Sequence, residues 1–204
     1  MLKAKDRKVR HAVESLIAAF LFIFQHMPVV GPWMGPMCIP LATYILSTLW
    51  VYPDFLDSTA HLLFFSGRLM FGRIVAIAGF VIFSIALIQF INGRGKLITS
   101  GLYSVVRHPQ YFGIVIMTLG ISMMCIQHSG VHSEFLNIWL IQTFGYVLLA
   151  SYEERYLQRE YEKGYPQYRQ RVSFILPIPQ LTKIPESLST MAVALIIAFL
   201  ITLL

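Results

Sequence analysis

Residues 107–154 read RHPQYFGIVIMTLGISMMCIQHSGVHSEFLNIWLIQTFGYVLLASYEE. Two apolar runs, 111–127 and 134–151, are separated only by the polar stretch HSGVHS. Each run approaches the ~20 residues that a helix needs to cross hydrocarbon. A connection this short predicts a tight pair of antiparallel helices, a helical hairpin. A hairpin returns to the side it started from, so its two feet share one face of the membrane. That geometry sets the cluster Arg107, His108, Pro109, Gln110 and Tyr111 opposite the carboxylate pair Glu153 and Glu154.

The composition agrees with a membrane setting. Of 204 residues, 56% are hydrophobic and only 13% are charged, against about 25% charged in ordinary globular chains. The mean hydropathy is +0.65, and so small a polar share cannot coat a soluble domain of this length. The formal net charge of +6 falls in blocks between apolar spans. Such blocks suit anionic lipid headgroups rather than nucleic acid. Cys38 and Cys125 both lie in apolar stretches and form no CxxC pair, so packing is their expected role. The opening MLKAKDRKVRH has no small-residue cleavage site and is not expected to be a removed signal peptide.

Four further apolar segments stand out at 12–30, 37–51, 69–91 and 187–204. The expected fold is an all-α integral membrane protein with about five to six transmembrane helices and a C-terminal helical hairpin. Its residues 1–204 form one membrane domain, with N-terminal helices over 1–91, a core over 92–183 and a terminal helix over 184–204. The basic N-terminal stretch and the charged region 152–183 both favour the cytoplasm under the positive-inside rule. Three full crossings before residue 92 would separate them. Either the short segment 37–51 does not span, or the N-terminus breaks the rule.

Two readings compete for the polar clusters. In the first, Arg107 reaches lipid phosphate, Tyr103 and Tyr111 join an aromatic belt, and Pro109 opens a helix at N1. In the second, the helix N-terminus and Arg107 form a wall suited to a carboxylate or phosphate. His108 adds a group that titrates near neutral pH. Glu153 and Glu154, expensive at the end of an apolar helix without partners, then form the opposite wall. Such a site is complementary to a zwitterion with the character of an amino-acid head. His128 and His132 stand at i, i+4 but lack a suitable third ligand, and no metal site is expected. Glu14 and His26 are expected at interface positions. The chain has no HExxH, no P-loop and no dinucleotide fingerprint.

The stretch GLYSVVRHPQYFG (101–113), the apolar pair after it and EERYLQREYEKGYPQYRQRVSFILP (153–177) together resemble a known family. This is the isoprenylcysteine carboxyl methyltransferase and phospholipid methyltransferase superfamily. The resemblance covers about 95–177, with both motifs in the right order and at the right separation. It implies an integral membrane enzyme that binds S-adenosyl-L-methionine in a membrane-surface pocket without a Rossmann domain. The implied cofactor wall comprises Gly101, Tyr103, Arg107, His108, Pro109, Tyr111 and Gly113. Glu153, Glu154, Tyr165, Tyr168 and Arg169 would stand opposite. His108, Glu154 and Arg107 are the implied catalytic residues, with His108 and Glu154 as candidates to take a proton.

The implied function is methyl transfer to a lipophilic or membrane-embedded acceptor, among membrane lipids and with the cofactor site facing the cytoplasm. An isoprenylcysteine-like carboxylate, a phospholipid amine and other small lipophiles stay open as acceptors. The chain departs from the family pattern at three places. The glycine before the tyrosine pair is displaced by two positions, Phe174 stands where an arginine is common, and the final helix extends past the usual end. Two other readings remain. Sterol-type reductases, which use NADPH, share a similar Arg-His-Pro-x-Tyr segment, and a non-catalytic membrane scaffold would bind no cofactor.

Overall fold

The boundaries of the central helix follow from its terminal residues. Pro109 sits in its first turn, where a missing N–H costs nothing, and the helix runs Pro109–Ser129. It ends at Gly130, which adopts the left-handed conformation (φ +73°) and donates its N–H to the Ile126 carbonyl. Glycine adopts that conformation without the Cβ penalty other residues meet. The next helix, Ser133–Glu160, is 28 residues long. It does not stop at Ser151, where the apolar run ends. No proline interrupts 133–165, so the helix continues through EERYLQRE, and part of the expected surface segment is its last two turns.

These observations come from a computed structural model that describes residues 34–53, 66–93, 95–130, 133–177 and 185–203. In chain order its helices are α1 (Met34–Val51), α2 (Met70–Asn92), α3 (Pro109–Ser129), α4 (Ser133–Glu160), α5 (Tyr165–Arg171) and α6 (Glu186–Thr202). Short 3₁₀ turns occupy Gly67–Leu69 and Gly101–Ser104. Among the described residues there is no strand, only a single parallel bridge between Val106 and Ser173. Three helices are long and apolar enough to cross a membrane, namely Met70–Asn92, Pro109–Ser129 and Glu134–Glu160. The apolar helices over 35–51 and 186–202 are shorter. The expected segment 12–30, with Glu14 and His26, lies outside the described residues, as does His132.

Helices α2 and α3 meet along glycines. A Cβ on Gly79 would stand 2.2 Å from the Met117 nitrogen, and one on Gly113 would stand 2.5 Å from the Phe83 nitrogen. A Cβ on Gly120 would come within 2.3 Å of the Ala76 nitrogen. Small residues at these positions let two backbones touch, the usual basis of close helix packing in lipid. The other side of α2 presents Phe71, Ile74, Ile77, Phe80 and Ile88 outward, as a lipid-facing surface should.

Helix α3 is the hub. Trp139 of α4 donates its indole N–H to the Val115 carbonyl at 2.9 Å. Tyr44 of α1 donates to the Thr118 carbonyl at 2.9 Å and lies 2.8 Å from the Ser122 hydroxyl oxygen. Tyr146 of α4 donates to the Met37 carbonyl of α1 at 3.0 Å. Val115 therefore meets Trp139, while Tyr111, one turn earlier, meets Tyr146 and Glu153. That order makes α3 and α4 antiparallel. It also gathers the start of α3, the last turns of α4 and the start of α6 at one end of the bundle.

Candidate functional site

At that end the chain draws Arg107 and His108 inward. The segment 172–175 lies alongside 105–108 through the Val106–Ser173 bridge. The Arg107 N–H donates to the Ser173 and Phe174 carbonyls at 2.8 and 3.1 Å, and the His108 N–H donates to Phe174 at 3.2 Å. These two donors just before α3 are thus occupied by protein. Arg107 is 4% exposed and His108 5%, far from the water-facing place that an interfacial anchor would take.

The Arg107 side chain joins four elements. Its Nη1 donates to the Arg169 carbonyl at 2.6 Å and to the Val172 carbonyl at 3.1 Å. Its Nε stands 2.7 Å from Glu154 Oε1 of α4, and its Nη2 pairs with Glu186 Oε2 of α6. A charge so deeply buried is tolerable only with partners of this kind. Glu154 is also approached by Arg169 Nε at 3.5 Å. The Phe174 ring lies 5.6 Å below the guanidinium and stands edge-on to His108, with centroids 5.4 Å apart. Phe174 thus gives the guanidinium an aromatic platform.

His108 lies between the two carboxylates, with Nδ1 3.3 Å from Glu153 Oε2 and Nε2 3.6 Å from Glu154 Oε1. Burial works against its charge, but the two carboxylates outweigh that and raise its pKa above the ordinary 6.5. Tyr111 stacks on the imidazole with ring planes 3° apart and centroids 5.4 Å apart, and donates its hydroxyl to Glu153 at 2.9 Å. Tyr168 closes the side with a 2.7 Å bond to the Tyr103 carbonyl. Tyr165 is fully buried, and burial, reinforced by Glu154, holds its phenol strongly protonated. Five buried polar atoms here lack a hydrogen-bond partner: Tyr165 Oη, His108 Nε2 and Gln110 Nε2, together with Arg107 Nε and Glu154 Oε1, which meet as an ion pair. Buried groups of that kind normally find one.

The structure gathers Tyr103, Arg107, His108, Tyr111, Glu153, Glu154, Tyr165, Tyr168 and Arg169 into one cluster, with Pro109 starting the helix beneath it. Gly113 instead faces α2 in the glycine contact. Gly101 (φ +66°) packs against the Gln89 side chain, whose oxygen accepts the Leu102 N–H at 3.1 Å. Glu186 joins the cluster without any signal in the sequence, since nothing in its spacing ties it to a residue 79 positions earlier. Beside the cluster, an open groove of about 450 Å³ runs past Leu97, Arg159, Glu160, Lys163 and Gly164, next in sequence to Tyr165.

Fold and site together define a multi-helix membrane protein with a charged, aromatic-lined cluster at one end of its bundle. The model of a family described as phospholipid methyltransferase matches residues 61–164 of the 204. The chain belongs to this family, within the superfamily that also holds the isoprenylcysteine methyltransferases. Over 82 residues it is 30% identical to a protein of Arabidopsis thaliana called protein-S-isoprenylcysteine O-methyltransferase B, covering 40% of each chain. It is 32% identical over 82 residues to a probable protein-S-isoprenylcysteine O-methyltransferase of Oryza sativa subsp. indica, covering 40% of this chain and 41% of that one. The matched part thus spans about two fifths of these relatives. No solved structure matches the chain.

Proposed function

We propose that the protein transfers a methyl group from S-adenosyl-L-methionine to a lipophilic acceptor held in the membrane. The observation that carries this reading is the buried cluster itself. It holds cations (Arg107, Arg169) and carboxylates (Glu153, Glu154) side by side, walled by tyrosines. This donor set fits the ammonium and carboxylate of a methionyl group, and the unpartnered Tyr165 Oη and His108 Nε2 leave polar contacts to be made. Glu153 and Glu154 would hold the ammonium, while Arg107, Arg169 and His108 would hold the carboxylate. Tyr103, Tyr111, Tyr165 and Tyr168 would offer ring faces to the sulfonium, worth about 0.5–2 kcal/mol.

When bound, the cofactor supplies a methyl group on a positively charged sulfur that departs as a neutral thioether. The chain's own task is therefore alignment, which can lower a barrier by roughly 7–11 kcal/mol when reacting atoms are held ~3–3.5 Å apart. The acid–base character of the cluster favours that division of labour. His108, with its raised pKa between two carboxylates, tends to keep its proton, and Glu154 is committed to Arg107. Neither is set up as a strong base. An acceptor that is already nucleophilic, such as a carboxylate, suits this site better than one that must first lose a proton. The names of the Arabidopsis and rice relatives point to an acceptor of that type.

The test uses the full chain in detergent or nanodiscs with methyl-labelled S-adenosylmethionine. A prenylated cysteine analogue with a free carboxylate is offered beside phosphatidylethanolamine. The expected result is label in the carboxyl ester, lost in Glu154→Ala. Binding of NADPH without any binding of S-adenosylhomocysteine would refute the reading.

A further inference from the structure

Arg107 has no side left for a ligand. Its side chain is 1% exposed, Nη1 is bonded to two backbone carbonyls, Nε faces Glu154 and Nη2 is paired with Glu186. A carboxylate from outside can reach this guanidinium only by replacing one of these groups. The Arg169 and Val172 carbonyls belong to the backbone at and just after α5 and cannot leave singly. Glu154 is 9% exposed, in the body of α4, and also faces His108 and Arg169. Glu186 differs from all of them. It occupies the first turn of α6, its side chain is 21% exposed, and it presents the same chemical group that an amino-acid head would bring.

We propose that Glu186 is a placeholder for the ligand's carboxylate, holding the Nη2 face of Arg107 until that carboxylate takes its position. This rests on the reading of the site as one for an amino-acid-headed nucleoside. Exchange of one carboxylate for another keeps the buried cation paired throughout, so the guanidinium is never left as an uncompensated charge. It also makes the site selective. A ligand with a carboxylate displaces Glu186, whereas one without it meets Arg107 already satisfied. The apparent affinity for the carboxylate ligand is lowered by the fraction of molecules in which Glu186 holds the position.

The experiment measures binding to the full chain in nanodiscs of S-adenosylhomocysteine and of its decarboxylated analogue, in the unaltered protein and in Glu186→Gln. The expected result is about a five- to tenfold gain in affinity for S-adenosylhomocysteine, with the analogue unchanged. Glu186→Asp, which keeps the charge on a shorter stem, should fall between the two, and serves if the glutamine variant folds poorly. Weaker or unchanged binding of S-adenosylhomocysteine in folded variants, or equal gains for both ligands, would overturn the placeholder. Failure of the unaltered chain to bind either ligand would instead overturn the methyltransferase reading, and the placeholder with it.

Discussion

Replacing Arg107 by lysine keeps the charge and removes the geometry, so it separates a clamp from a mere cation. The guanidinium reaches the Arg169 and Val172 carbonyls with one nitrogen, Glu154 with a second and Glu186 with a third. A lysine ammonium sends its donors from one point and cannot span these acceptors. Two charge-assisted bonds to carbonyls, at a low-end value of about 1.5 kcal/mol each, give a loss of about 3 kcal/mol. Breaking the Glu154 contact as well carries the loss toward about 3–5 kcal/mol, the range for a buried pair deprived of one partner. With the arginine side chain 1% exposed, solvent screening does not reduce these figures. Equilibrium unfolding in mixed micelles, followed by tryptophan fluorescence, measures the change. A double-mutant cycle with Glu154→Gln should show coupling of roughly 0.5–3 kcal/mol. A loss below about 1 kcal/mol, or no coupling, would refute the picture of Arg107 as the joint of the site.

Two further outcomes follow from contacts described above. Gly79→Ala drives a methyl group to 2.2 Å from the Met117 nitrogen of α3, where no side-chain rotation relieves it. It should destabilise by about 1–3 kcal/mol, while Gly164→Ala, whose added carbon meets only Leu97 at 3.6 Å, should change little in the same unfolding assay. Because folding raises the His108 pKa, the stabilisation from its protonated form is complete below about 6.5 and is lost as pH rises through the folded value. The melting temperature should fall over that interval, and His108→Gln should flatten the slope.

The helix limits were largely written in the sequence. The run 69–91 became α2 at Met70–Asn92 and 111–127 became α3 at Pro109–Ser129, because hydrophobic length, Pro109 and Gly130 all agree there. The extent of α4 was less obvious, since charge at 153–160 marks solvent contact but does not end a helix. The glycines at 72, 79, 113 and 120 repeat every seven residues within each helix, a packing signal open to inspection. Gly113, which the family resemblance implies for the cofactor wall, packs against the Phe83 backbone of α2. The approach of 107–111 to 153–154, expected from two apolar runs joined by a short polar stretch, is seen in the contacts of Arg107, His108 and Tyr111 with Glu153 and Glu154. Glu186 was out of reach for the opposite reason: pairing across 79 residues is set by how whole helices pack, which no local pattern encodes.

That long reach fixes an order of events during synthesis. Arg107 emerges from the ribosome 46 residues before Glu153 and 79 before Glu186, and its carbonyl partners also lie downstream at 169 and 172. When α3 first inserts, this cation must remain among headgroups and water, since burial without partners is prohibitive. Its full set of partners is present only once residues 154, 169, 172 and 186 have all been made. A chain that stopped short of residue 186 would have to bury this arginine with one of its two carboxylates missing.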